Sequence, residues 1–266
     1  MFLNQQDESF IKFNLYYRPD RLQPLIDLKD YQPTFIPDTN LMNNRYAMVN
    51  NFDPLQPVEF TEFWDWLQPL SMDEQISMLT MIGTQKYIDL VPEESTFLRE
   101  KILPGRELVQ WYSCAQEEDV DQRLDRLLQL ETSSSDSRCL LVGGNTSKII
   151  ESKLDENQPQ YLDFEFMDTD QINIQYSSNS EGWIVIRQNY FPGWKVVLDG
   201  SQTVPIEKVD YLFQGFYVPA GEHGIIVKYS PNSFFIGMIL SIISSVLLIG
   251  LISYPLYRKL SKKPLL

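Results

Sequence analysis

The sequence is poor in the residues that most metal and acid–base chemistry uses. It has one histidine, His223, and two cysteines, Cys114 and Cys139, among 266 residues. That excludes a zinc site built from histidine and cysteine alone, and it excludes a disulfide-stapled scaffold. Positive charge is also scarce: 22 Lys and Arg stand against 36 Asp and Glu, a net charge of −14. A surface that binds phosphate backbones needs clustered Lys and Arg, so no nucleic-acid partner is expected. Charge of either sign is missing altogether from 29 consecutive positions, 229–257.

Further absences narrow the chemistry. Gly143-Gly144-Asn145 lacks the Lys-Ser/Thr of a P-loop and the third glycine of a dinucleotide site, and reads as a tight turn. No nucleophile-elbow sequence accompanies His223, which reads as a residue of the AGEHG turn. The acidic run Glu117-Glu118-Asp119 has no spaced-oxygen calcium loop around it and reads as the first turn of a helix. No catalytic residue, metal or cofactor is therefore expected from the residues themselves. Cys114 and Cys139, 25 positions apart, carry no metal-site spacing. In an oxidising compartment they would pair; in a reducing one they would stay thiols. Asn145-Thr146-Ser147 fits a glycosylation sequon, a pattern that recurs by chance.

What is present is a folded body and a span. Hydrophobic residues make up 43% and aromatics 13%, enough for a core in one large domain or two modest ones. The mean hydropathy of −0.24 resembles that of a soluble protein, yet it averages over Phe234 to Tyr254, which is apolar on every face. Those 21 residues would rise about 32 Å as a helix, the thickness of a bilayer core. Arg258, Lys259, Lys262 and Lys263 follow it, while residues 1–233 carry a net charge of −18. The positive-inside rule then puts the tail in the cytoplasm and the body outside. The first twenty residues show no signal peptide. The body is thus expected either to remain cytoplasmic on a tail anchor or to end a longer multi-pass protein.

Along the body, residues 18–58 are rich in Pro, Asn and Asp and read as turn-rich chain. Phe60, Phe63, Trp64 and Leu67 recur at helical spacing. Ser71 and Glu74 make a capping box before a second helix, with Ile76, Leu79 and Ile82 as its buried face and Gly83 as its stop. Strands are predicted over 86–91 and 107–113. A third helix is predicted from Val120, Leu124, Leu127 and Leu128, with Asp121, Arg123, Asp125 and Arg126 on its opposite face. A boundary is placed in the tract Thr132–Ser137. Beyond it, strands are predicted over 139–142, 148–154, 161–166, 171–177, 182–188, 194–199, 211–218 and 224–229, the pattern of an antiparallel β-sandwich.

The fold class is therefore α+β. A mixed α/β part over 1–137 precedes an antiparallel sandwich over 138–230. A transmembrane helix over 231–257 and a basic tail over 258–266 complete the chain. The last strand ends within five residues of the span, so the sandwich is expected against the bilayer. Trp183, Phe191, Tyr211, Phe213, Phe216 and Tyr217 are expected to fill the core. Tyr190 and Trp194, flanking the turn Phe191-Pro192-Gly193, are the candidate carbohydrate-contact residues.

Two stretches carry a resemblance. GWIVIRQNYFPGWKVVLDG (182–200) and YLFQGFYVPAGEHGIIVKYSPNSFFIGMILS (211–241) resemble the end of YfhO-like bacterial membrane proteins, in which a Pro-Gly-Trp turn, an Asp-Gly hairpin and a Gly-Glu-His turn precede the last helix. Residues 40–64 and 78–90 resemble weaker upstream segments, so the likeness runs from about residue 15 to 258. It implies a multi-pass glycosyltransferase of the GT-C type, transferring sugar from a polyprenyl-phosphate donor to cell-envelope polymers. Its catalytic acid would sit among N-terminal helices that this sequence does not contain, so no catalytic residue carries over. The resemblance further implies an extracytoplasmic body delivered by upstream spans. Its implied partners are the lipid bilayer and either a multi-pass membrane bundle or an envelope glycan. The runner-up is a single-pass envelope module that binds carbohydrate by itself.

Overall fold

A computed structural model of the chain describes residues 2–3, 57–90, 98–133, 138–143 and 159–261. Most of the Pro-rich stretch, the strand predicted over 148–154, residues 144–147 of the glycine turn and sequon, and the last five residues lie outside the described residues. So does most of the tract Thr132–Ser137. The elements fall into two units interleaved in sequence. The first takes Met1–Gln158, Ser180–Tyr190 and Glu207–Pro219; the second takes Pro159–Asn179, Phe191–Ile206 and Ala220–Leu266.

In the first unit, α1 (Val58–Leu67) buries Phe63 and Leu67, while Phe60 and Trp64 stack at 6.2 Å and are partly buried. The capping box before α2 (Met72–Met81) forms: the Glu74 carboxylate accepts from the Ser71 amide at 2.9 Å, and Ser71 Oγ accepts from the Glu74 amide at 3.4 Å. Leu79 is buried as expected, but Met78 and Met81 are buried with it while Ile76 and Ile82 are only partly so. Gly83 ends the helix at φ +90°, a conformation that favours glycine.

Three short strands, β1 (Phe2–Leu3), β2 (Lys86–Leu90) and β3 (Leu98–Ile102), make one sheet. The larger sheet of this unit contains β4 (Val109–Tyr112), β5 (Ala115–Glu117), β6 (Leu140–Val142), β9 (Gly182–Asn189), β12 (Glu207–Val209) and β13 (Phe213–Val218), in the order β4-β9-β13-β12-β6-β5. Every pair is antiparallel except β5 with β6, which are joined through a 3-10 turn and α3 (Arg123–Thr132). Leu140, Leu141 and Val142 are all fully buried, as a short continuous apolar run allows. Trp183, Phe213 and Phe216 join the core at 3% exposure or less and Tyr211 at 7%, while Tyr217 is only partly buried against it and Phe191, expected in the core, is exposed in the turn Phe191-Pro192-Gly193.

Three sequence readings need correction here. Glu117 belongs to β5, and Glu118 and Asp119 precede the 3-10 turn Val120–Gln122, so the acidic run is not a helical first turn. Arg123, expected on the solvent face of α3, is 3% exposed, because its guanidinium turns inward to donate to the Glu118 carbonyl at 3.1 Å. The strand predicted over 211–218 begins at Phe213, since Asp210 and Tyr211 form the turn before it.

The second unit is a five-stranded antiparallel sheet ordered β11-β10-β14-β8-β7. Its strands are β7 (Tyr161–Asp168), β8 (Gln171–Ser178), β10 (Trp194–Leu198), β11 (Gln202–Val204) and β14 (Gly221–Tyr229). Ile172, Ile174 and Tyr176 of β8 alternate with exposed or half-buried neighbours, as do Val196 and Leu198 of β10 and Ile225 and Val227 of β14. That period of two gives the sheet one apolar face. Asp199 (φ 49°) and Gly200 (φ 71°), both at positive φ as Asp-Gly hairpin turns favour, make the reversal between β10 and β11, closed by the Ser201 amide donating to the Leu198 carbonyl at 3.2 Å. Two residues separate β14 from α4 (Asn232–Ser261), which begins one residue inside the predicted transmembrane helix 231–257 and runs four residues beyond its predicted end.

Candidate functional site

Tyr190 and Trp194, four residues apart, belong to different units. Tyr190 closes β9 and donates its amide to the Leu212 carbonyl at 2.6 Å. Its ring lies under the Lys208 ammonium, 5.6 Å from centroid to nitrogen, the geometry of a cation–π contact. Lys208, on β12, also pairs with Glu59 at the start of α1. That pairing holds the Glu59 carboxyl below its ordinary range: the hydrogen bond from Lys208 leads, a bond to the Glu59 backbone follows, and modest desolvation opposes them.

Beside this group, the Tyr211 hydroxyl donates to the Glu62 carboxylate at 2.6 Å. Burial, then the bond to Glu62 and its charge, push the Tyr211 phenol well above its usual value, so it remains a donor. Glu59, Glu62, Lys208, Tyr190 and Tyr211 thus form one polar cluster at the meeting of α1 with the β12–β13 hairpin. Its acids are engaged by a lysine and a phenol, an arrangement that offers hydrogen bonds and an aromatic ring rather than a free acid–base pair.

The hairpin is held in an uncommon shape. Asp210 (φ 46°) and Tyr211 (φ 70°) both adopt the left-handed region without being glycine. Asp210 is 1% exposed, and its carboxylate accepts from Arg138 at 3.1 and 2.5 Å and from the Leu141 amide at 3.0 Å. The Arg138 Nε lies 2.6 Å from Glu131 on α3, and the guanidinium sits 5.3 Å from the Tyr112 ring centroid. Burial works against the Arg138 charge, but Asp210, Tyr112 and Glu131 outweigh it and strengthen its hold on the proton. Glu131 also takes Arg106 at 2.6 Å. Next to Arg138, Cys139 is disulfide-bonded to Cys114, which ties the start of β6 to the start of β5.

Arg187 of β9 is buried without an acidic partner among the described residues. It donates to the carbonyls of Met81 and Glu107 at 2.9 and 2.5 Å, and to Gln110 and the Tyr112 hydroxyl at 2.7 Å each. Desolvation loosens its proton, and the neighbouring Tyr112 and Asp210 partly offset this. Its four bonds link β9 to α2 and β4, a structural task. No group of three or more metal-capable side chains occurs among the described residues.

Trp194 stands at the membrane end of the second unit. It pairs across strands with Tyr229, ring centroids 5.4 Å apart, and Phe191 lies 6.2 Å from the same ring. Gly193, at φ +119°, lets the turn close on the exit of β14: its carbonyl accepts from Ser230 at 2.8 Å, and a Cβ there would meet Pro231 and Tyr229 at 2.9 Å. His223 lies inside β14, paired with Tyr176, rather than in the turn before it; Gly221 at φ +129° makes that turn. Its Nδ1 is 2.8 Å from Asp199, and that contact, then the Gly224 amide, lowers the Asp199 carboxyl. Asp199 thereby locks the β10–β11 reversal to β14, which accounts for His223 without a catalytic task.

The segment Asn232–Ser253 of α4 is long and apolar enough to cross a membrane, and none of it is buried by the rest of the chain. Phe234, Ile243 and Leu251 stand 64%, 49% and 73% exposed on its different sides, which water would not tolerate and lipid does. An α+β body whose last strand passes directly into such a helix defines a membrane-associated protein. Residues 141–241 match the family model described as bacterial membrane protein YfhO. Over 92 residues the chain is 29% identical to the uncharacterized protein YfhO of Bacillus subtilis (strain 168). That stretch covers 35% of this chain and 11% of the relative's length. The C-terminal region of this chain is thus similar to bacterial membrane protein YfhO. No solved structure matches.

The residues that sequence reasoning missed are Glu59, Glu62, Lys208, Asp210 and Arg138. Nothing in local pattern joins Glu59 to Lys208, 149 positions away, or Arg138 to Asp210, 72 positions away. A charged residue inside an otherwise apolar stretch, such as Arg187 in GWIVIRQ, is the one local signal of a buried polar network.

Proposed function

We propose that this chain is the membrane-anchored, extracytoplasmic part of a YfhO-like glycosyltransferase system for cell-envelope glycosylation, without catalysis of its own. The match over 141–241, which runs into the apolar helix, carries this reading. The Cys114–Cys139 disulfide supports the external placement, since such bonds persist in oxidising compartments. With the body outside, the tail from Arg258 onward lies in the cytoplasm. In this reading the body positions an acceptor glycan or a multi-pass membrane bundle that binds the lipid-linked donor. The one such helix among the described residues cannot by itself enclose such a donor between helices. The test is sugar transfer from a polyprenyl-phosphate donor by the purified 266-residue chain. No transfer is expected from the chain alone; turnover would contradict the reading.

A second reading, glycan recognition by the body itself, is favoured by the Tyr190 ring lying beside Lys208 and Glu59, since aromatic faces and adjacent charged groups suit sugars. Loss of glycan-array binding in Tyr190→Ala would support it; an array without binding would remove it.

A further inference from the structure

At the end of the β10–β14 pair, two lysines face each other. Lys195 and Lys228 are directly opposed in the antiparallel register, both are exposed, and neither makes an ion pair among the described residues. Like charges in that position destabilise a sheet unless something compensates them. The partner the structure provides is slight: Lys195 Nζ donates to the Asn232 side chain at 3.2 Å. On the far side of Lys228 the neighbouring residue is Gln171, with Asp168 and Asp170 beyond it, so the lysine pair lies on the β10–β14 side of this end of the sheet and the two acids on the β7–β8 side.

The corner is fastened to the beginning of the membrane helix. The Ser230 amide bonds Gly193, and Lys195 bonds Asn232, the first residue of α4. Phe234 and Phe235, both exposed, follow within one helical turn. Phe191, 51% exposed, and the half-buried Trp194 and Tyr229 occupy the same corner. Aromatic rings favour the headgroup layer, where one part of the ring is dry and another wet, and lysines gain there from lipid phosphates.

We propose that the Phe191–Lys195 turn with Lys228 and Tyr229 docks on the phosphate headgroups of an anionic bilayer. Its aromatic rings enter the interface and its two lysines meet the phosphates. The corner thus fixes the five-stranded sheet on the membrane surface instead of leaving it to swing on α4. Trp194 is then a lipid contact. The inference rests on α4 crossing the membrane, but not on any sugar chemistry.

The full chain is reconstituted in phosphatidylcholine vesicles, with and without phosphatidylglycerol, carrying lipids brominated near the headgroup. Retention in carbonate-washed membranes checks the span independently. Tryptophan quenching is compared between the native chain and Trp194→Phe, which keeps an aromatic ring at the site. The expected result is lipid-dependent quenching that disappears in Trp194→Phe. In a Lys195→Gln, Lys228→Gln variant it should weaken only where phosphatidylglycerol is present. Equal quenching with and without Trp194, in a chain that resists the carbonate wash, would overturn the inference while leaving the span intact. Glycan binding lost in Trp194→Phe without any change in quenching would also overturn it. Insensitivity of the double lysine variant to lipid charge would overturn the phosphate contact.

Discussion

Arg138 and Asp210, 72 positions apart, are joined by two hydrogen bonds of 3.1 and 2.5 Å inside the first unit, at side-chain exposures of 3% and 1%. This pair explains how a hairpin can hold two consecutive non-glycine residues at positive φ. The carboxylate that Arg138 grips also takes the Leu141 amide, and the Asp210 amide returns a bond to the Leu141 carbonyl at 2.8 Å. The turn is thereby pinned to β6, and Tyr211 is aimed at Glu62 on α1.

Removing Asp210 strips the buried Arg138 of one of its two acids, leaving only Glu131, and takes the side-chain acceptor from the Leu141 amide. Asp210→Ala should lower unfolding stability by about 3–5 kcal/mol. Urea unfolding followed by tryptophan fluorescence checks this. A loss under about 1 kcal/mol, the range of an exposed pair, would mean that the pair is hydrated and does not hold the hairpin.

The disulfide closes a loop across a sequence separation of 25, between β5 and β6. On loop-entropy grounds its loss costs about 3–4 kcal/mol. Thiol titration of the unfolded, unreduced chain should find no free thiol, because the two cysteines are the only ones in the sequence. The double substitution Cys114→Ser, Cys139→Ser should shift the denaturant midpoint down. Two titratable thiols would contradict both the pairing and the external placement it supports.

Two glycines at positive φ differ in their surroundings. A Cβ at Gly193 would stand 2.9 Å from Pro231 and Tyr229, whereas nothing lies within 4 Å of one at Gly200. Gly200→Ala should cost about 1 kcal/mol, from the backbone alone. Gly193→Ala should cost about 2–3 kcal/mol, because strain and clash combine. Thermal unfolding of the two variants, each in the same lipid discs, measures the difference; equal losses would show that the Gly193 turn is not packed on the helix entry.

The raised Tyr211 phenol carries a sign that can be followed. A group whose folded value lies above its unfolded one contributes stability at lower pH and loses it as pH rises. The loss should begin near pH 10, the ordinary tyrosine value, and continue upward. Tyr211→Phe should flatten that alkaline decline. The lowered Glu59 carboxyl acts in the opposite sense: its contribution is present above the ordinary carboxylate range and fades as pH falls below it. Stability measured from pH 3 to 11 in native and Tyr211→Phe chains tests both, and identical alkaline slopes would contradict the Tyr211–Glu62 bond.

Much of the architecture was legible because local physics determined it. The capping box at Ser71 and Glu74 and the Asp199-Gly200 reversal are written in adjacent residues, and the 29-position run without charge marked the helix. The strands from Tyr161 to Leu198 follow alternation or apolar runs closely enough to be placed within about two residues. β3, β5, β11 and β12 were not found. LREKI, AQE, QTV and EKV are short or highly charged, and their partners rather than their composition make them strands. The left-handed shape of Asp210 and Tyr211 was equally hidden, since it depends on an arginine 72 positions earlier. Of the candidate site, the aromatic corner was visible at Phe191–Trp194. The cluster around Tyr190 was not, because Glu59 and Glu62 arrive from α1.

The central claim, an external body on a membrane-crossing helix, is tested most directly by labelling at the β10–β11 reversal. Ser201 is exposed there, and with Cys114 and Cys139 paired a Ser201→Cys variant carries one free thiol. In intact cells producing the protein, a membrane-impermeant maleimide should label that thiol fully, with no increase after lysis. Labelling that appears only after lysis would place the body in the cytoplasm and contradict the account.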